Sequence, residues 1–275
     1  MKPHFTALEA AYQLHYYLYL KTNNLRPSFQ PDATQALITE VLAEVCGREQ
    51  YHLLDPPVIN PNHLKLLLSL EPNHNLSDVI KKLKGNISRR LGPLPSGKVW
   101  ARGYFARTSG KVDLVRARNY VEQQTQHHGY RGEWTKALKF HNPEFTSPYF
   151  SFEHCFTQLN YHLVLSTYNR AAIFDEAIAP SLFNYIVAIG RKHKFAVERI
   201  GLLPDHLHLL VEAVPSISVE QIIHAIMGNT FFWMDKNYSG VLKETDALNV
   251  WSPSFYAGSV GEFTTAQVKK FLSNG

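Results

Sequence analysis

Two histidines one residue apart are the most chemically suggestive feature of this chain. They lie in Pro204-Asp205-His206-Leu207-His208-Leu209-Leu210. The stretch reads as a β-strand, in which alternate side chains share a face. His206 and His208 therefore point one way, and Leu207 and Leu209 the other. A lone histidine on a strand is usually structural, but an alternating pair is half of a divalent-metal site. Two ligands are too few, so the remaining donors must come from elsewhere. Asp205, next to the pair, either orients an imidazole from behind or serves a turn or cap.

The chain has 275 residues, enough for two ordinary domains, and a hydrophobic fraction of 45%, enough for a core. Its formal net charge of +5 points mildly to an anionic partner. Lys81, Lys82, Lys84, Arg89 and Arg90 crowd one helical stretch, and Arg102, Arg107, Lys111, Arg116 and Arg118 follow with few acids between. Such a span is expected of a surface that tracks phosphates, although a merely solvated helix has the same composition. The two cysteines, Cys46 and Cys155, show neither a disulfide framework nor metal-type spacing, which fits a reducing compartment. No apolar run approaches the roughly 18 residues of a membrane span. Met1-Lys2-Pro3-His4 lacks the apolar core of a signal peptide. The expectation is a soluble, intracellular protein with no membrane partner.

The elements around the histidines occur twice. Leu14-His15-Tyr16-Tyr17-Leu18-Tyr19-Leu20 resembles Leu159-Asn160-Tyr161-His162-Leu163-Val164-Leu165, and a phenylalanine follows each at the same interval, Phe29 and Phe174. A helix-like stretch comes next in both. Asn60-Pro61-Asn62-His63-Leu64-Lys65-Leu66-Leu67 then matches the histidine strand. Gly85-Asn86 matches Gly228-Asn229, Val99-Trp100 matches Val250-Trp251, and Gly110 matches Gly261, at an offset of about 143–151 residues throughout. Collinear matches of this kind mark two copies of one domain. Residues 1–128 form the first copy, 129–152 with Pro143 and Pro148 the linker, and 153–275 the second copy. Interleaved strands and helices predict an α+β fold for each copy, a ferredoxin-like sandwich with a mostly antiparallel sheet.

Four features in order, found twice, resemble the IS200/IS605-type transposases and the related REP-associated tyrosine transposases of the HUH single-strand nucleases. They are the His-Leu-His strand, Lys84-Gly85-Asn86-Ile87-Ser88-Arg89-Arg90, the tryptophan before an aromatic strand (Tyr104-Phe105, Phe255-Tyr256), and a closing helix with Tyr-x-x-x-Gln. The resemblance covers nearly the whole chain, once per half. It implies a histidine pair and a glutamine around Mg²⁺ or Mn²⁺, although imidazoles alone also suit Zn²⁺. It further implies a tyrosine that attacks hairpin-bearing single-stranded DNA to form a 5′-phosphotyrosine link, and homodimers that exchange their tyrosine helices.

Carried over, the resemblance makes Tyr120 the nucleophile and Gln124 the third ligand, four residues apart and so on one helix face. In the first copy His63 is kept but Lys65 stands at the second ligand position, and an ammonium has no lone pair to give. In the second copy His206 and His208 are intact, while Phe271 stands at the tyrosine position and Gly275 at the glutamine position. If each copy used its own helix, both sites would be dead. If the helices are exchanged, His206, His208, Tyr120 and Gln124 complete one site, and His63, Lys65 and Phe271 fall together in a degenerate second one. The expectation is a single-chain pseudo-dimer with one composite site, the basic residues, Arg102 and Arg107 included, gripping DNA, and Tyr104 or Tyr256 stacking on bases or packing in the sheet. The rival readings are a hairpin-binding protein without chemistry and an unrelated metallohydrolase built on the histidine pair.

Overall fold

A computed structural model describes residues 7–30, 32–93, 97–123, 138–147, 155–244 and 249–261. The first copy runs β2 (His15–Lys21), α1 (Asp32–Glu49), β3 (His52–Leu53), β4 (Val58–Asn60), β5 (His63–Ser69), α2 (Leu76–Leu91), β6 (Tyr104–Ser109) and α3 (Leu114–Glu122). The second runs β9 (Asn160–Thr167), α4 (Ala179–His193), β10 (Phe195–Leu203), β11 (His206–Ala213), α5 (Val219–Asn237), α6 (Ser239–Glu244) and β12 (Trp251–Val260). Each half forms a mostly antiparallel sheet, β3-β5-β2-β6 in one, with β4 also pairing with β5, and β12-β9-β11-β10 in the other. The fold is therefore the tandem α+β sandwich that the repeat predicts.

Three further strands complete the sheets. β7 (Leu138–His141), within the stretch read as linker, pairs antiparallel with β10. β1 (Glu9–Gln13) ends just before β2 yet pairs in parallel with β12 of the other sheet. β8 (Cys155–Gln158) ends just before β9 yet pairs in parallel with β6 of the first sheet. Each sheet thus takes an edge strand that leads into the other half.

Alternation in β9 and β11 sends Leu163, Leu165, Leu207 and Leu209 into the core, where Val79, Ile80, Leu83 and Ile87 of α2 and Ile222, Ile223 and Ile226 of α5 also pack. Helix starts follow local chemistry. Asn75 accepts from the Asp78 N–H, Asp113 from the Arg116 N–H, and Ser218 and Gln221 form a capping box. The two halves share one continuous core, and the Tyr16 and Tyr161 hydroxyls, at matched repeat positions, meet at 3.1 Å.

The seam between the copies is reciprocal. The Thr108 hydroxyl donates to the Val260 carbonyl (2.6 Å) and accepts from the Asn160 N–H (3.0 Å). The matched Ser259 hydroxyl donates to the Ser109 carbonyl (2.5 Å) and accepts from the His15 N–H (3.0 Å). Gly110 donates to the Gly261 carbonyl at 2.9 Å, and a Cβ on Gly110 would stand 2.0 Å from the Ser259 carbonyl oxygen. Among the described residues no helix is long and apolar enough to cross a membrane.

Candidate active site

The histidine face belongs to the second sheet, on the side away from its core. β11 contributes His206, His208, Leu210 and Glu212 there, while Leu207, Leu209 and Val211 face inward. Both imidazoles are buried. His206 Nδ1 lies 2.6 Å from Asp205 Oδ1, and Arg170 Nε holds Asp205 Oδ2 at 2.8 Å. Asp205 thus stands behind an imidazole, one of the two roles its position allows, and its backbone carbonyl accepts from Thr167. His208 Nδ1 lies 3.0 Å from Nε2 of His162, with the two rings stacked at 5.2 Å and 10°.

The element that covers this face comes from the other copy. Ala117 and Val121, one turn apart on α3, pack with Leu114 against Leu210 of β11 and Val260 of β12. Arg118 reaches Glu198 of β10 at 2.5 and 3.2 Å, and Glu122 pairs with Arg199. This seating brings the Tyr120 ring edge-on to His208 (5.7 Å, 75°) and to His162 (5.5 Å, 79°). Tyr120 is 37% exposed, so its ring meets both the imidazoles and solvent. A cleft of about 440 Å³ opens beside the face. It is lined by Val164 and Ser166, the cross-strand partners of His208 and His206, and by Tyr256, whose ring packs on His162 at 5.8 Å.

The matched face of the first copy has different chemistry. His63 is engaged at both ring nitrogens, Nδ1 with Asn62 Oδ1 at 2.8 Å and Nε2 with Asn60 Nδ2 at 2.9 Å. Burial, and then the charges of Lys65 and Lys21, lower its pKa to about 4. Tyr17, Tyr19 and Phe105 form a small aromatic cluster beside it. A ring whose two nitrogens are both used by asparagines, next to an ammonium, is a poor start for a cation site.

Gln124 and Phe271 lie outside the described residues. Of the basic residues, Lys81, Arg89, Arg102 and Lys111 are exposed. Others are engaged within the protein: Lys82 with Glu49, Arg90 with Glu44, Arg116 with Asp113, Arg118 with Glu198, and Lys84 with the carbonyls of Ala101 and Gly103. Arg107 is buried in β6. Tyr256 is exposed, whereas Tyr104 is half-buried and packs against the core.

Among the described residues no group of three or more His, Cys, Asp or Glu side chains could hold a metal ion. The second copy's pair still fits a divalent cation in donor type. With each Nδ1 held by a partner, Nε2 is the nitrogen each ring has for a ligand, and both Nε2 atoms are buried.

Two residues of this face escape a reading of the sequence alone. The one signal that could have found His162 is a mismatch between the copies, since the half with His208 has His162 where the half with Lys65 has Tyr17. Glu212 is buried, and desolvation, partly offset by a hydrogen bond from Ser147, raises its pKa to about 7.

The family described as "Transposase IS200 like" matches residues 10–124 and again 155–275. The ISDra2 transposase TnpA of Deinococcus radiodurans is 27% identical over 117 residues, which span 42% of this chain and 84% of that protein. A crystal structure from Deinococcus radiodurans R1, whose description proposes a transposase, is 26% identical over 42% of this chain and 90% of its own, with a TM-score of 0.36. A REP-associated tyrosine transposase bound to a REP hairpin is 13% identical over 48% of this chain and 76% of its own, with a TM-score of 0.32. With the family matched once in each half, over most of its length, this chain belongs to the IS200-like transposases.

Proposed function

We propose that this protein cleaves and rejoins single-stranded DNA bearing a hairpin, through a 5′-phosphotyrosine intermediate on Tyr120, at one composite site drawn from both copies. The observation that carries this reading is the Tyr120 ring lying against His208 of the other half. In this account residues 1–128 and 153–275 are the two transposase units, joined by 129–152, and the protein acts inside the cell, where its DNA is.

His206, His208 and Gln124 would hold Mg²⁺ or Mn²⁺. Such an ion, when bound, polarises the scissile phosphate and neutralises charge that develops on it. The Tyr120 phenolic oxygen attacks phosphorus as its proton leaves. The bond from phosphorus to the 3′ oxygen breaks, and that oxygen takes a proton to become a free 3′-OH. Tyr120 keeps the 5′ phosphate in a diester, so the bond remains available for rejoining. Asp205 and Arg170 hold the His206 ring in place. α3, seated by its ion pairs, holds the Tyr120 ring against His208, which supports the positioning such chemistry needs. Lys81, Arg89 and Arg102 are exposed cations suited to the DNA backbone. Lys82, Lys84, Arg90 and Arg107 would take part only by exchanging or sharing their present partners. Tyr256, exposed at the cleft beside His162, offers a face for an unpaired base.

A second reading, a hairpin-binding protein that has lost its chemistry, draws on the first copy, whose His63 is engaged at both nitrogens beside Lys65. Labelled single-stranded hairpin DNA incubated with the protein and Mn²⁺ distinguishes the two. The proposal expects a covalent protein–DNA band on a denaturing gel, absent with a chelator and absent in Tyr120→Phe. Tight hairpin binding with no covalent band under any divalent ion would favour the binding protein.

A further inference from the structure

We propose that His162 is a positioning residue for the metal site, holding His208 with Nδ1 protonated so that the lone pair on Nε2 is the one turned to the cation. The inference rests on reading His206 and His208 as ligands, and it adds a partner for the second of them.

The geometry is specific. His162 sits on β9 diagonally across from His208, since Leu210 is its direct cross-strand neighbour and Val164 is that of His208. Diagonal side chains on neighbouring strands reach each other only when they are long or aromatic. Here the rings stack almost parallel and share one nitrogen-to-nitrogen contact of 3.0 Å. One of those two nitrogens must donate and the other accept. If His208 is to bind a cation through Nε2, its proton must sit on Nδ1. His162 Nε2 must then be the acceptor, and the His162 proton must sit on its own Nδ1.

His206 follows the same arrangement with a different partner, its Nδ1 facing Asp205 Oδ1 at 2.6 Å. Each imidazole of the pair therefore has a dedicated neighbour at Nδ1, as ligating histidines generally do. His162 is itself packed by two tyrosines, with the rings of Tyr120 and Tyr256 both edge-on to it. Its ring is thus also part of the wall against which Tyr120 lies. The first copy, with Lys65 at the His208 position, has Tyr17 at the His162 position.

Mn²⁺ binding to the full chain without DNA, followed by the electron paramagnetic resonance signal of the free ion, tests the inference. His162→Leu keeps the bulk but offers no acceptor, and it is expected to weaken binding about 10- to 100-fold. His162→Gln keeps an acceptor oxygen and is expected to stay within about threefold of wild type. If His162→Leu binds like wild type while His208→Ala loses the ion, the positioning role is wrong and the metal site stands. If His208→Ala also binds like wild type, or wild type takes up no ion, the site reading fails and the inference with it. Nitrogen NMR of ¹⁵N-histidine-labelled wild type reads the tautomer without depending on a variant's folding. His208 must show a protonated Nδ1 and an unprotonated Nε2, its signals identified by their loss in His208→Ala. The opposite tautomer overturns the inference.

Discussion

Glu212 lies two positions past Leu210 on the histidine face, with Ser147 donating to one carboxylate oxygen at 2.6 Å. Burial raises its pKa to about 7 from an ordinary value near 4.5. In the folded state it therefore holds its proton to higher pH than in the unfolded chain. Its favourable contribution is complete below about pH 4.5 and is lost as pH rises through about 7. Glu212→Gln removes that loss and keeps an acceptor for Ser147. We expect the variant to be more stable than wild type by about 2–3 kcal/mol at pH 8, with the gap closing by pH 4, in urea titrations at both pH values. At this scale the sequence was partly legible. The spacing of His206 and His208 gave their shared face, and Asp205 was visible as a neighbour. His162 and Glu212 were not, because one histidine or one glutamate on a strand has no spacing to mark it. Only the fold discloses that His162 stacks on His208 and that Glu212 is desolvated.

The element that carries the proposed nucleophile is α3. Its nine residues are too few to be stable alone. Its order comes from the Asp113 cap, from Ala117 and Val121 against Leu210 and Val260, and from two ion pairs around Glu198 and Arg199. Glu198 is buried and takes contacts from both Arg118 and Arg199. Removing it leaves two guanidiniums without their shared acceptor. Glu198→Ala is expected to cost about 3 kcal/mol of stability and to speed amide exchange across 114–122 more than in the β-sheets, by urea titration and hydrogen-exchange mass spectrometry. The sequence predicted this helix, and the resemblance to helix-exchanging transposases implied its seat on the other half, where Ala117, Val121 and Arg118 now pack. It did not disclose the basic residues' partners. Lys82, Lys84, Arg90 and Arg118 look like a DNA-facing run when written in line, but the fold meets each with an acidic side chain or a backbone carbonyl.

At the scale of the whole molecule, the two copies are welded by a seam that repeats itself. Thr108 and Ser259 make matching bonds in opposite directions, and Tyr16 and Tyr161 meet between the halves. Gly110 sits where backbone approaches backbone, so Gly110→Ala places a methyl group in the Ser259 carbonyl. We expect it to cost about 3 kcal/mol or more by thermal unfolding, since Gly110 cannot move away from Ser259 without breaking its own bond to Gly261 and the neighbouring Ser259–Ser109 bond. Gly85→Ala, in α2 with open space around it, is the contrasting case and should stabilise by about 0.5–1 kcal/mol. The repeat was readable because duplicated packing demands similar residues in the same order. β1 and β8 were not, because a strand that leaves its own half to complete the other sheet has the same local pattern as one that stays.

The central claim is that Tyr120 works with the histidines of the other copy and not with His63 of its own. The most direct measurement is the yield of covalent protein–DNA adduct, on hairpin-bearing single-stranded DNA with Mn²⁺, for His208→Ala beside His63→Ala. The account predicts that His208→Ala lowers the yield at least about 100-fold while His63→Ala stays within about threefold of wild type. An adduct that survives His208→Ala and disappears in His63→Ala would contradict it.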